Sequence, residues 1–352
     1  MPVHPGPTSV YIPSLGDQQA ASEVLLNEFS RNPSSFSINQ YVQIRPVQAV
    51  SGFFARINTE DAVRVPQIQE FVWPENSDRP SGTSRRHEFV PYECERFAHN
   101  FTVGSLTASQ APWDIIASHA RGDATQFMTR RTMQVYDLLG TAGNWDGNTG
   151  TTATLDTGDW TGSSASDGFI QKTVQSVTRS IHQQTGGVIK PRNVTMILSP
   201  ELANAISETP EVLSYIKNYD AALRLLTGAG AEFFEQWSLP PRLFGVNVLV
   251  EDAVVERARE GETSNLGYVM GDEEVFFVSR EGDLEGTENA PQAPTYSTVS
   301  MFAQEDMTVE MNTSLEEAQW NRRLRGSIVD NIDFKLTSPA SGFYISDVTA
   351  SP

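Results

Sequence analysis

A single cysteine, four lysines and no long apolar run set the first limits on this chain of 352 residues. Cys94 has no partner with which to close an internal disulfide, which suits a protein made in a reducing compartment. A free cysteine usually packs as a small hydrophobe, so Cys94 is expected to be buried. No stretch nears the ~18 apolar residues of a membrane span. The opening Met1-Pro2-Val3-His4-Pro5-Gly6-Pro7 lacks the basic segment and apolar run of an export signal. The expectation is a soluble protein, made in the cytoplasm, with no membrane partner.

Basic charge is scarce too. The net charge is −19 and the isoelectric point about 4.6. Counterion release from phosphates favours proteins with a basic face, and none is visible here, so tight direct DNA binding is disfavoured. Residues 251–317 hold 17 Asp and Glu against only Arg257, Arg259 and Arg280. That stretch reads as a solvated acidic surface, or as a face that pairs with arginine on a neighbour. Apart from Lys172, Lys190, Lys217 and Lys335, every cation is arginine. Its planar guanidinium makes bidentate pairs with carboxylates and keeps its charge when buried, which suits fixed interfaces.

Catalytic patterns are missing as well. His4, His87, His99, His119 and His182 do not fall in metal-ligand spacings. There is no Gly-x-Ser-x-Gly elbow, Walker loop or dinucleotide fingerprint. Gly228-Ala229-Gly230 reads as a helix break. Asp272-Glu273-Glu274 and Glu316-Glu317 read as solvated turns, without the spacing of a calcium loop. No catalytic residue, cofactor or metal is expected.

What is present is an order of elements. Residues 1–52 are crowded with Pro and Gly at the start, with one short helix at Gln18–Phe29, and read as an extended arm. Alternation in Ala62–Ile68 and a strand at His87–Val90, either side of the turn-rich 74–86, predict a long two-stranded hairpin. A lone hairpin is marginal in water, so this one needs another surface to lie on. Steps of three and four among Trp113, Ile116, Ala120, Ala124, Phe127, Met128, Val135 and Leu139 predict a long helix over 106–140, started by Pro112 and stopped by Gly140 and Gly143. Asp167 is expected to cap a helix running to Thr185 with Ile170, Val174, Val177 and Ile181 on one face. Val194–Leu198 reads as a buried strand. Ser199-Pro200 and Thr209-Pro210 each open a short helix. Strands follow at 246–250, 267–270, 275–278, 298–302, 308–311, 328–336 and 342–348. The mixture implies an α+β fold with a central sheet.

Four stretches carry a resemblance to the major capsid proteins of tailed bacteriophages, and the similarity spans about residues 36–350. Phe53–Ile57 through Ser81–Arg86 to Pro91–Ala98 resembles the family's extended E-loop and its return strand. Arg130–Leu139 followed by Asn144-Trp145 resembles the end of its spine helix. Asn193–Leu198, Ser199–Leu202, Thr209–Leu213 and Leu243–Val246 resemble its axial domain. Asp333–Leu336 and Gly342–Ile345 resemble the last strands of its peripheral domain. The resemblance implies a Hong Kong 97-like capsid fold: an N-terminal arm at 1–52, an E-loop hairpin at 53–104, a spine helix at 105–145, an axial domain at 146–294 and peripheral strands at 295–352.

It implies a non-enzymatic shell protein that associates with itself as hexamers and pentamers. The shell encloses double-stranded DNA without reading its sequence, with a portal and a separate scaffolding protein as further partners. Only about 50 residues precede the E-loop, too few for the cleaved scaffolding segment of some family members. Residues 52–105 contain no lysine, so the lysine–asparagine cross-link of some members is not expected. Shell stability then comes from noncovalent contacts or a cement protein. Arg85 and Arg86 in the loop, and Arg322, Arg323 and Arg325 near the C-terminus, are the candidates for pairing with carboxylates of a neighbour. Two alternatives stand beside this reading: an encapsulin-type nanocompartment shell, and an acidic, β-rich secreted binding module.

Overall fold

Two sheets divide the apolar residues of the chain between them. The computed structural model describes residues 35–57, 72–75, 77–79, 87–104, 115–155, 158–161, 168–217, 237, 239–258, 262–280, 290–311 and 322–349. The helix expected at 18–29, the strand at 62–68 and the stretch 81–86 lie outside them, as do Asp167 and the glycines at 228 and 230.

In chain order the strands are β1 (Val42–Pro46), β2 (Ser51–Ile57), β3 (His87–Glu93), β4 (Glu95–Gly104), β5 (Thr149–Thr151), β6 (Val194–Leu198) and β7 (Arg242–Leu243). They continue with β8 (Val246–Val250), β9 (Val254–Glu256), β10 (Leu266–Tyr268), β11 (Val275–Ser279), β12 (Val299–Met311), β13 (Arg323–Leu336) and β14 (Phe343–Ser346). The longer helices are α1 (Ile115–Gly140), α2 (Phe169–Gln184), α3 (Pro200–Ser207) and α4 (Pro210–Lys217).

One sheet has the order β1-β12-β13-β4, and the other β5-β14-β11-β6-β8-β7. β9 with β10, and β2 with β3, form separate two-stranded ribbons. In the first sheet β1 runs parallel to β12, and the remaining pairs are antiparallel. The two strands expected at 298–302 and 308–311 are one strand, β12. Its register against β13 shifts around Glu305 and before Thr308, and Met307 there takes a positive φ of 31°. A bulge adds residues to one strand without ending the ladder, which is why the pattern alone looked like a break.

α1 packs on the four-stranded sheet. Ala120, Ala124, Met128, Val135 and Leu139, all from the expected stripe, are buried with Val299, Met301, Ile328 and Ile332. At ~1.5 Å per residue a helix of this length reaches about 39 Å. Its last carbonyls are closed by the turn that follows: the Trp145 indole N–H donates to Leu139 O at 2.7 Å, and the Asn144 amide to Leu138 O at 2.8 Å. Trp145 then lies under the six-stranded sheet, stacked on Tyr344.

That second sheet is covered on both faces. Along β6, Ile197 joins the α1 side, whereas Met196 and Leu198 point to α2, as the two-residue period of a strand requires. Ile170, Val174, Val177 and Ile181 of α2 all bury there, as their spacing predicted. Each such side chain contributes about 1.5–3 kcal/mol on burial. The cap of α2 differs from the expectation. The N-cap position is Gly168, in the left-handed region at φ 93°, and it makes no side-chain cap. The buried carboxylate of Glu211, on α4, accepts instead from the backbone N–H groups of Ile170 at 3.1 Å and Gln171 at 2.7 Å. Ser199 caps α3 as expected, accepting from Leu202 N. Thr209 turns back and donates to Ile206 O.

Candidate assembly surfaces

The β2–β3 ribbon places aromatic side chains on both of its faces. Phe53 and Phe54 are neighbours in sequence and therefore point opposite ways. The register pairs Phe54 with Val90 and Ile57 with His87, so His87–Val90 pairs with 54–57 rather than with the 62–68 stretch expected from alternation. Phe54 and Tyr92 face inward and both stack on Phe302 in β12, with centroids 5.1 and 4.6 Å away. Cys94 is buried beside them, as expected, and burial pushes its thiol pKa up. Arg45 lies over the same Phe302 ring and donates to Pro291 O and Ala293 O. Arg56 reaches from the ribbon to Leu336 O at 2.6 Å. One face of the ribbon is thus anchored to its own subunit.

The opposite face carries exposed aromatic side chains. Phe53 is 60% exposed and Phe89 69%. Further along the same connection Val72 and Trp73 are also exposed, with Arg79 stacked over the Trp73 ring at 5.1 Å. Phe53 and Phe89 share one face of the ribbon by its register, and exposed apolar side chains of this kind are candidates for contact with another molecule.

Of the arginines expected at interfaces, Arg85 and Arg86 lie outside the described residues. Arg322, Arg323 and Arg325 are exposed where β13 begins, beside the end of β4, with Arg323 opposite Gly104 and Arg325 opposite Thr102. All three therefore lie at the end of the four-stranded sheet where β13 begins, between β12 and β4.

A different pair of arginines holds α1 in place. Asp330 on β13 is fully buried and accepts from Arg131 Nε at 3.0 Å, Arg131 Nη2 at 2.7 Å and Arg130 Nη2 at 2.5 Å. Arg131 also reaches Asp306 at 2.7 Å, next to the bulge in β12. Burial works against the Arg131 charge, but its bonds and attraction to Asp330, joined by Asp306, outweigh this and hold its pKa above the usual arginine value. For Arg130 burial wins and lowers it, although Asp330 opposes the change. Arg130 is also packed over the Phe97 ring at 3.7 Å. The Arg130-Arg131 doublet that makes this tie sits in a helix that also carries Arg121, Asp123 and Asp137, so the sequence alone does not single it out.

The acidic turn at 272–274 has a structural task. Tyr136 from α1 and Tyr344 from β14 both donate to Glu274, the latter at 2.7 Å. Burial, with this hydrogen bond next, pushes the Tyr136 pKa up to about 12. Tyr344 is raised for the same reasons. Among the described residues, no three His, Cys, Asp or Glu side chains gather in a way that could hold a metal ion. No described helix is long and apolar enough to cross a membrane.

Three solved structures share this architecture. A phage-related protein from Bordetella bronchiseptica RB50 aligns with a TM-score of 0.61 at 15% identity, covering 94% of this chain and 97% of that one. The capsid of cyanophage P-SCSP1u aligns at 0.52 with 9% identity, covering 88% and 87%. The capsid of an empty GTA particle aligns at 0.51 with 12% identity, covering 99% and 96%. No family model and no curated protein matches the chain. The likeness defines the fold: this is an α+β chain with the Hong Kong 97-like architecture of phage capsid subunits, the fold class expected from the sequence.

Proposed function

We propose that this chain is the major capsid protein of a tailed bacteriophage, a non-catalytic subunit that assembles with copies of itself into an icosahedral head around double-stranded DNA. The observation that carries the reading is the β2–β3 ribbon: on a capsid-type fold, it is anchored by Phe54 and Tyr92 yet presents Phe53 and Phe89 outward. In this reading residues 53–104 are the E-loop, α1 is the spine helix, the four-stranded sheet is the core of the peripheral domain and the six-stranded sheet is that of the axial domain, so β14, which pairs with β11, goes with the axial sheet rather than with the peripheral strands expected over 295–352. The arm at 1–52 and the E-loop lie on adjacent subunits. Assembly takes place in the host cytoplasm, with a separate scaffolding protein, a portal and, where noncovalent contacts do not suffice, a cement protein. Arg322, Arg323 and Arg325, with Arg85 and Arg86, pair with carboxylates of neighbours.

Negative-stain electron microscopy of the protein, expressed alone and with the products of its neighbouring genes, tests this. Closed shells or capsomer rings are expected. A monodisperse monomer under every condition would reject the reading. Nucleic acid inside the shells separates a phage head from a nanocompartment that stores enzymes. Arg85→Glu with Arg86→Glu is expected to block assembly while the far-ultraviolet circular dichroism of the subunit stays unchanged.

A further inference from the structure

The β9–β10 ribbon is three residues long on each strand and carries an apolar face that stays exposed among the described residues. Its register pairs Val254 with Tyr268 and Glu256 with Leu266, so these four side chains share one face. Leu266 is 67% exposed and Val254 45%. Trp237 meets Tyr268 edge-on at 6.2 Å and borders the patch. Glu256 is fixed at its rim, with its carboxylate accepting from the Ser264 hydroxyl and from the backbone N–H groups of Ala258 and Asn265. Arg257 belongs to the opposite face, where it lies along Gly267 and donates to Tyr268 O. The patch is therefore apolar at its centre and acidic at its edge.

A surface of the complementary kind lies at the far end of the six-stranded sheet, away from the ribbon that follows β8. β6 and β8 run parallel, from Thr195 and Asn247 at one end to Leu198 and Val250 at the other. The ribbon follows Val250. At the far end Val188 is 43% exposed, and the exposed Lys190, Arg192 and Arg242 follow around it. Asn247 ties two of them together, accepting from Arg242 Nε and donating to Arg192 O. Among the described residues, none of these three cations forms an ion pair.

We infer that the β9–β10 ribbon of one subunit docks on the Val188–Arg192 and Arg242 surface of the next copy of the chain in a ring. The inference rests on the shell reading above and names the contact that builds the ring. The two surfaces differ and lie beyond opposite ends of β6 and β8, so the contact is head-to-tail rather than two-fold, and a head-to-tail contact whose rotation closes builds a ring. The apolar centres exclude water, while the charges set direction and register.

The full chain with Val188→Cys and Leu266→Cys, assembled and treated with a short bis-maleimide, tests this. The native thiol, Cys94, is buried, so the background is low. A ladder of cross-linked species that ends at pentamers and hexamers is expected from the double variant, and no ladder from either single one. Shells that form normally without a ladder overturn this contact and leave the shell reading standing. Cross-linked dimers from Leu266→Cys alone overturn it in favour of a symmetric ribbon–ribbon contact. Failure of the unmodified chain to assemble under any condition overturns both. Arg192→Glu with Arg242→Glu is expected to lower the assembled fraction at least about tenfold with circular dichroism unchanged, since like charges then face each other; assembly at the unmodified level counts against the contact.

Discussion

Around the six-stranded sheet, α2 buries Ile170, Val174, Val177 and Ile181 with Met196, Leu198, Val248, Phe277 and Ile345, with no charged side chain of its own in that layer. Around the four-stranded sheet, α1 meets β13 through a mixed layer in which Met128, Val135 and Ile328 alternate with Arg130, Arg131 and Asp330. Apolar packing tolerates small sliding, because dispersion and burial are non-directional. A buried carboxylate shared by two guanidiniums fixes register, because its hydrogen bonds are strong only at one distance and angle. The long helix is therefore set on its sheet at one defined position, and α2 is held mainly by area.

The difference can be broken most severely at Asp330. Asp330→Ala leaves two arginines partly buried without their carboxylate and is expected to cost about 3–5 kcal/mol in urea unfolding. A loss below about 1 kcal/mol would mean the tie is ornamental. On the other layer, Ile181→Ala removes aliphatic volume from the α2 interface and is expected to cost ~2–5 kcal/mol, toward the lower end if the site relaxes around it. Hydrogen exchange sharpens the contrast: Asp330→Ala should speed exchange along α1 and β13, and Ile181→Ala along α2. Glu211→Ala removes the borrowed cap of α2 and is expected to cost ~0.5–2 kcal/mol, with faster exchange at Ile170 and Gln171.

The smallest effect joins the two layers at Glu274. The pKa of Tyr136 is raised from 10.0 to about 12, so the folded state holds its proton more tightly than the unfolded chain. Its contribution is complete below pH 10 and declines as the pH rises toward 12, where the hydroxyl ionises. Tyr136→Phe should flatten this alkaline decline, read as tyrosinate absorbance against unfolding. An unchanged alkaline profile would exclude Tyr136 as its source.

The same contrast explains how much could be read from the chain. α2, β6 and β8 follow the spacing of their apolar residues because both faces of that sheet are buried, and α1 shows its stripe for the same reason. Nothing local announces that Glu211 caps a helix forty residues earlier, or that Arg131 meets a carboxylate 199 residues away. Those contacts depend on topology. β1 was unreadable because a parallel strand at a sheet edge has one neighbour and a short, mixed sequence. The β2–β3 ribbon was misregistered because Phe53 and Phe54 put aromatics on both faces, which erases the alternation that signals a half-buried strand. Cys94 was legible from its type alone. The arginines at 322, 323 and 325 were legible as a charged cluster, but nothing in the sequence separated them from the Arg130-Arg131 pair that turned inward.

If the chain builds a shell as proposed, the pairing of β12 with β13 also bears on how a thin wall would withstand pressure. Their ladder runs from Val299 opposite Leu336 to Met311 opposite Gly326. Tension applied along the strands would load every rung of that ladder simultaneously, and the strands could part only by breaking all of them. Tension across the strands would open the rungs one after another, at a much smaller force. A subunit laid with these strands in the plane of the wall and along the direction of stretch would give that wall its stiffness from ordinary backbone hydrogen bonds, without any covalent weld.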